Sequence, residues 1–232
     1  LSALSFVQDE WLRRVEAEYR SSAITQTLTL WMTQAAVSPD LIAEGLRIAQ
    51  DELDHAELSM AVYQAAAGTE MPRIDRASLT FSATPGAQIE DDIVLFALEI
   101  FCLGETVAVP LFRSLRERCE EPVARAALDR ILLDEVRHRD FGWALLTWML
   151  EQAPERAALV RRRLPSAFAS IRRSYAPAFS GQAPSALPPE AIRWGLMDPP
   201  EYAACLDRTF ERDWQPRLAR LGIDALDAWT AR

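Results

Sequence analysis

Glycine is scarce in this chain, with eight residues in 232, and cysteine is scarcer, with three. Little glycine beside abundant Ala, Leu, Arg and Glu argues against an architecture of strands and tight turns and favours long helices. The cysteines, Cys102, Cys119 and Cys205, have neither paired spacing nor a zinc pattern, which excludes a disulfide framework and leaves three reduced thiols. An excess of basic charge is also lacking. Lys and Arg number 25 against 34 Asp and Glu, for a net charge of −9, so nucleic acid and anionic membrane surfaces are poor partners and a small molecule or a protein fits better. No apolar run is expected to span a bilayer, and the first residues lack the basic and apolar regions of a secretory signal, so a cytoplasmic protein is expected. Apolar residues make up 50% of the chain, ample for a core.

Histidine is the rarest informative residue, and both copies sit in one repeated string: DELDH at Asp51 to His55, and DEVRH at Asp134 to His138. Each string sets a glutamate, Glu52 or Glu135, three positions before the histidine. On a helix the two side chains then leave one face. A carboxylate and an imidazole on one face form half of a metal site.

The remaining text reads as helices. Apolar residues recur at helical spacing from about Trp11 to Ala36, with Ser5 or Asp9 as cap and Ser38-Pro39 closing the end. Ser38, Pro39 and Asp40 open a second helix running to about Ala67, where Gly68 stops it. From Gly68 to Gln88 there is no sustained period, as expected of a long crossover connection. A third helix spans about Ile89 to Cys119, apolar nearly all round, with Pro110 predicting a kink. Glu121 and Pro122 start a fourth, ending near Ala153. Beyond Pro154 lie a basic amphipathic helix carrying Arg161, Arg162, Arg163, Arg172 and Arg173, a linker from Gly181 to Pro189, and a helix from about Pro200 to Leu221. The arginine cluster reads as a solvated face or an ion-paired dimer contact. The expected division is a helical bundle over residues 1–153 and a helical extension over 154–232.

If helices three and four turn near Glu120, Glu105 and Glu135 each lie 15 residues from the turn, at one level about 22 Å along. In the first hairpin Glu52 and His55 fall close to the level of Glu18. Glu10 and Glu16 are nearby, but Glu18 shares the inward stripe of Trp11, Val15, Ser22, Thr25, Thr29 and Met32, whereas Glu16 points to the far side. Glu105 interrupts an apolar run, where a buried carboxylate needs a partner or a cation. Glu99 in the same run points elsewhere. The predicted ligands are Glu18, Glu52, His55, Glu105, Glu135 and His138. Oxygen and nitrogen donors of this kind suit iron or manganese, with zinc and copper also compatible.

One glutamate from each of two helices, with Glu and His three apart on each of two more, resembles the ferritin-like di-iron carboxylate superfamily. The stretches EYRSSA, AQDELDHAEL, CLGETVA and DEVRHRDF look like small bacterial ferritin-like proteins, and the resemblance covers about Trp11 to Leu150. It implies an all-α, antiparallel four-helix bundle holding two iron ions, or manganese, or a mixed pair. It also implies that Glu52 and Glu135 bridge, that Glu18 and Glu105 are terminal ligands, and that Asp134 orients His55 while Asp51 orients His138.

By the same resemblance the pair activates dioxygen. The 79 residues after Ala153 do not suit a storage cage, and Ser59 stands where a ribonucleotide reductase small subunit carries its radical tyrosine. Tyr19 and Tyr63 read as rim or core residues. Ile131 replaces the third histidine of the p-aminobenzoate N-oxygenases, and Val109 the threonine of multicomponent monooxygenases. The expected activity is therefore oxidation of a small organic substrate by an oxygenase or oxidase, by hydroxylation, N-oxygenation or desaturation. A ferroxidase or stress protein without organic substrate, and a non-enzymatic subunit with structural metal, are the alternatives. Candidate pocket residues are Ser22, Thr25 and Thr29, whose hydroxyls either face substrate or bond the preceding turn, with Phe101, Cys102, Phe112, Gly142 and Leu146 opposite. An electron donor and a second copy of the chain are the further partners this family type admits.

Overall fold

The computed structural model describes residues 2–175 and 186–231. The fold is all-α, with no strand among the described residues. The part of the expected Gly181 to Pro189 linker before Ala186 lies outside the described residues.

Helix α1 covers Ala3–Gln34 and begins eight residues before the predicted start. Ser2 caps it, its Oγ accepting from the Ser5 amide at 3.2 Å. Val7 and Trp11 are fully buried, so the first turns already belong to the apolar face. Helix α2 covers Pro39–Ala65. The two are antiparallel: Gln8 donates to the Ala66 carbonyl at 2.6 Å, Ser22 to that of Ala49 at 2.8 Å, and Ser21 to the Glu52 carboxylate at 2.9 Å.

Both helices end in the same device. Ala36 and Ala67 adopt φ of 52° and 61°, while Val37 and Gly68 donate back to the carbonyls of Met32 and Tyr63, each at 2.9 Å. This is the Schellman closure with alanine where glycine is usual. Gly68 does not supply the left-handed residue as its sequence position suggests. Its missing side chain makes room for the Tyr63 ring, which an added Cβ would meet at 2.3 Å. The Tyr63 hydroxyl accepts from the Glu70 amide at 2.9 Å, and Tyr19 sits exposed at the rim.

The connection to the third helix contains only a 3-10 turn at Arg76–Leu79 and is tied to α1 through Arg20 to the Ser78 carbonyl and the Arg73 amide to Glu16. Helix α3, Ile89–Arg118, is long and apolar enough to cross a membrane, contrary to the expectation above. Within that apolar stretch 61% is buried inside the protein, the character of a core helix. Its middle, Ala97–Glu105, is π-helical. Pro110 follows within the helix, its nitrogen unable to donate to the preceding turn. Helix α4 covers Pro122–Gln152. Gly142 on α4 lies against the π segment so closely that a Cβ there would stand 2.3 Å from Phe101 Cβ and 2.9 Å from its carbonyl carbon.

The later helices are α5, Ala157–Tyr175; α6, Pro189–Ile192; α7, Pro199–Thr209, continued by a π turn at Phe210–Trp214 into Gln215–Arg220; and α8, Leu226–Thr230. The chain packs as two compact units that interleave along the sequence and do not divide at residue 153. The first comprises Leu1–Ala83, Phe112–Asp134 and Leu187–Met197; the second comprises Thr84–Leu111, Glu135–Ala186 and Asp198–Arg232.

In the first unit a late segment is strapped onto α1. Trp11 Nε1 donates to the Trp194 carbonyl and Arg14 Nη2 to that of Gly195, each at 3.0 Å. Gly195, at φ 79°, packs where a Cβ would strike Leu128. Arg14 also stacks 4.3 Å above Trp11 and pairs with Glu10 at 3.0 Å. Burial pushes the Glu10 carboxyl up, but Arg13 and Arg14 outweigh it and hold the pKa below its ordinary value.

In the second unit Phe168, Phe210, Trp214 and Trp229 form an aromatic core, with Phe210 and Trp229 stacked at 4.7 Å. Three arginines of the basic cluster on α5 turn to partners within this unit, while Arg162 and Arg173 are exposed. Arg172 stacks 3.7 Å over Trp229, Arg161 donates to the Gly222 carbonyl at 2.9 Å, and Arg163 pairs with Glu99.

Two stability tests follow from these close fits. Ala36→Gly and Ala67→Gly each remove a left-handed side chain and should stabilise by about 0.5–1 kcal/mol, seen as a higher urea midpoint. Gly142→Ala should destabilise by about 2–3 kcal/mol, because the obstructing atoms include backbone; an unchanged midpoint would show that α4 slides freely on the π segment.

Candidate metal centre

Two clusters bring carboxylates and an imidazole together. In the first unit Glu18 of α1 meets Glu52 and His55 of α2, and in the second Glu105 of α3 meets Glu135 and His138 of α4. In each, the candidate ligand atoms all lie within 4.8 Å of one another. All six predicted ligands are thus placed in two groups of three. Glu52, His55, Glu135 and His138 are buried, whereas Glu18 and Glu105 are half-buried.

The three-residue spacing works as helix geometry dictates. His55 Nδ1 lies 3.6 Å from Glu52 Oε2, and His138 Nδ1 lies 4.0 Å from Glu135 Oε2. These separations are too long for hydrogen bonds. Donors about 2.1 Å from one ion stand roughly 3–4 Å apart, so the sets fit a shared cation. Each offers two carboxylates and one imidazole, and a divalent ion would offset the charge gathered there. Thiolate does not enter the donor set. Cys102, inside the π segment, is fully buried and free, and burial holds its thiol well above the usual range despite the opposing charge of Arg217.

A surrounding layer orients the first cluster. His55 Nε2 lies 3.2 Å from Asp134 Oδ2. A proton on Nε2 donated to this carboxylate leaves the Nδ1 lone pair on the Glu52 side. Arg130, one turn before Asp134, lies 3.2 Å from the same oxygen and 3.9 Å from Asp51 Oδ1. One guanidinium therefore faces the leading acids of both repeated strings. Ser21 donates to Glu52 Oε1, directing Oε2 toward the imidazole. In the second unit Thr106, next to Glu105, accepts from Trp143 Nε1 at 2.9 Å.

Ser21, Arg130, Trp143 and the π segment escaped the sequence reading. Arg130 was recoverable, since it stands four residues before Asp134. Ser21 follows Glu18 by three residues, but nothing in a lone serine marks it as a carboxylate donor.

The proposed pocket residues are distributed as follows. Ser22 donates to Ala49, Thr25 to the Ser21 carbonyl at 2.9 Å and Thr29 to the Thr25 carbonyl at 2.7 Å, so these hydroxyl protons are committed to backbone. Phe101, Cys102 and Leu146 are fully buried in the second unit, and Phe101 meets Phe141 edge to face at 5.0 Å. Gly142 is filled by the Phe101 backbone. Phe112 belongs to the first unit, 5.9 Å from the Arg14 guanidinium.

Asp134→Asn should weaken metal binding at the first cluster by about 10–100-fold and leave the second near wild type, read by competitive metal titration. Equal loss at both would mean that the substitution disturbs the fold.

None of the protein-family models, curated proteins or solved structures compared with the chain matches it.

Proposed function

We propose that this chain is a ferritin-like di-iron oxygenase or oxidase that uses dioxygen to oxidise a small organic substrate. The observation that carries this reading is the matched pair of buried clusters, each two carboxylates and one imidazole with ligand atoms within 4.8 Å of one another. Each is built on one copy of the only histidine-bearing string. Union of the two ions into one functional pair is what the duplicated string and the family resemblance imply. Iron held by such oxygen and nitrogen donors supplies reduction of dioxygen and delivery of its oxidising power to an organic molecule. Monooxygenation also consumes a pair of electrons, which an external reductant must deliver, and two protons, which come from solvent.

The protein's own part is to hold and orient. Asp134 sets a carboxylate oxygen 3.2 Å from His55 Nε2, which favours the tautomer protonated there, and Ser21 keeps one Glu52 oxygen engaged while the other faces the imidazole. Half-buried Glu18 and Glu105 leave an approach that the fully enclosed histidines do not. Thr106, the residue after Glu105, is held by the Trp143 indole, which fixes the rotation of the helix that carries Glu105. The π segment ending on Glu105 inserts extra backbone in the turn before the ligand, a distortion common at functional helices.

Protein reconstituted anaerobically with ferrous iron should hold about two ions per chain, show magnetic coupling between them, and take up oxygen when reduced. Glu105→Ala should retain about one ion and lose the coupling. Fewer than about one ion per chain in the parent, or zinc retained with no oxygen uptake by any iron-loaded form, would refute the assignment.

A further inference from the structure

The first unit contains a cleft that the metal cluster does not use. Arg13, Glu16 and Arg20 of α1 line it together with Arg73 and Asp75 of the crossover connection, around a volume of about 310 Å³. Residues three, four and seven apart share one helix face, so the three α1 side chains form a single wall. Glu16 and Arg20 each stand two residues from Glu18, about 200° round the helix. The cleft therefore lies on the side of α1 away from the metal ligands.

Its charges are not spent on one another. A glutamate four residues before an arginine on one helix face ordinarily pairs with it, yet Glu16 and Arg20 form no ion pair among the described residues. Each is bonded to backbone of the facing wall instead. Glu16 Oε1 accepts from the Arg73 amide at 3.0 Å, and Arg20 Nε donates to the Ser78 carbonyl at 3.2 Å. Asp75 is committed in the same way, its Oδ1 accepting from the Ala77 amide at 3.0 Å. Arg13 pairs with Glu10, but the Arg73 guanidinium has no hydrogen bond or ion pair among the described residues. The backbone bonds thus hold opposite charges in one cleft without closing them together. The Arg73 guanidinium, the Nη groups of Arg20 and the second oxygen of Glu16 are left for a ligand.

This lining selects against ions of one sign. A simple anion meets repulsion from Glu16 and Asp75, and a simple cation meets it from the arginines. A molecule carrying both signs on neighbouring atoms satisfies both. Ala17, Ile74 and Leu79 add apolar surface to the same cleft, and its volume is at the small end of ligand sites. We propose that the cleft binds a free amino acid with an apolar side chain. Its carboxylate is held by Arg73 and Arg20, whose guanidinium donors match two oxygens. Its ammonium meets Glu16, and its side chain lies against Ile74 and Leu79. The site goes beyond the oxidation chemistry and does not depend on it.

Calorimetric titration of the 232-residue chain with leucine, 4-methylpentanoate and 3-methylbutylamine tests this. The last two are leucine without its ammonium and leucine without its carboxylate. Leucine should bind, and each truncated analogue should bind at least tenfold more weakly. Arg73→Gln and Glu16→Gln should each weaken leucine binding by about tenfold. Glu16→Gln keeps an oxygen for the Arg73 amide, so it reads the loss of charge alone. The proposal is overturned by no leucine binding at about 10 mM, by either analogue binding as well as leucine, or by wild-type affinity in either variant. The analogue comparison uses wild type and so decides the matter even if a variant folds poorly. Leucine affinity should also be the same with and without zinc and in Glu18→Ala, because the cleft lies away from the cluster. Binding that requires zinc would overturn the site, since the amino acid would then be chelating the metal. Failure of the metal assignment would appear separately, as zinc not retained, and the titration would still decide the cleft.

Discussion

Carboxylates drawn into a helical interior carry a desolvation penalty that hydrophobic packing cannot repay, and much of this structure answers that constraint. Each cluster collects two of them around an imidazole. The first is managed by hydrogen bonds whose direction matters. Ser21 takes one oxygen of Glu52, and Asp134 faces the imidazole nitrogen turned away from the cluster. Arg130 then supplies positive charge behind Asp134. Charge therefore alternates outward from the ligands, so each buried acid meets a donor or a cation.

The second cluster is supported by shape more than by charge. Its carrier, α3, passes through the π segment immediately before Glu105, and α4 presses its one glycine into that segment at Phe101. A side chain at position 142 would hold the helices apart. Trp143, the next residue, uses its indole to fix Thr106. Neighbouring positions on α4 thus set both the spacing and the rotation of the helix that presents Glu105.

The features legible in the sequence were those with a period. Glu52 with His55 and Glu135 with His138 follow from spacing, Glu18 from its place on an inward stripe, and Glu105 from its interruption of an apolar run. The helices were legible for the same reason, to within a few residues at most ends. What stayed hidden depends on partners distant in the chain. The π segment is a local departure whose fit involves Gly142, some forty residues on. The left-handed alanines at 36 and 67 defy the usual rule that glycine ends a helix, because the returning hydrogen bonds define the closure whichever residue occupies it. The bilayer-length character of α3 is masked in the sequence by Glu99 and Glu105, which interrupt its apolar text. The interleaving of the two units has no signature in composition at all.

The strap formed by Trp11 and Arg14 on residues 194 and 195 bears on how the chain matures. A polypeptide emerges from its amino end, and domains generally begin to fold as they appear. The candidate ligands of the first cluster lie between positions 18 and 55, within a single helical hairpin, and become available early. The strap that closes the same unit is made almost 140 residues later. Ligand assembly is local while closure is distant, so the hairpin must wait with its interior accessible while most of the remaining chain is made. Such separation raises contact order and slows the final step. It also leaves an interval on the ribosome in which a cation can reach Glu18, Glu52 and His55 before Trp11 is covered.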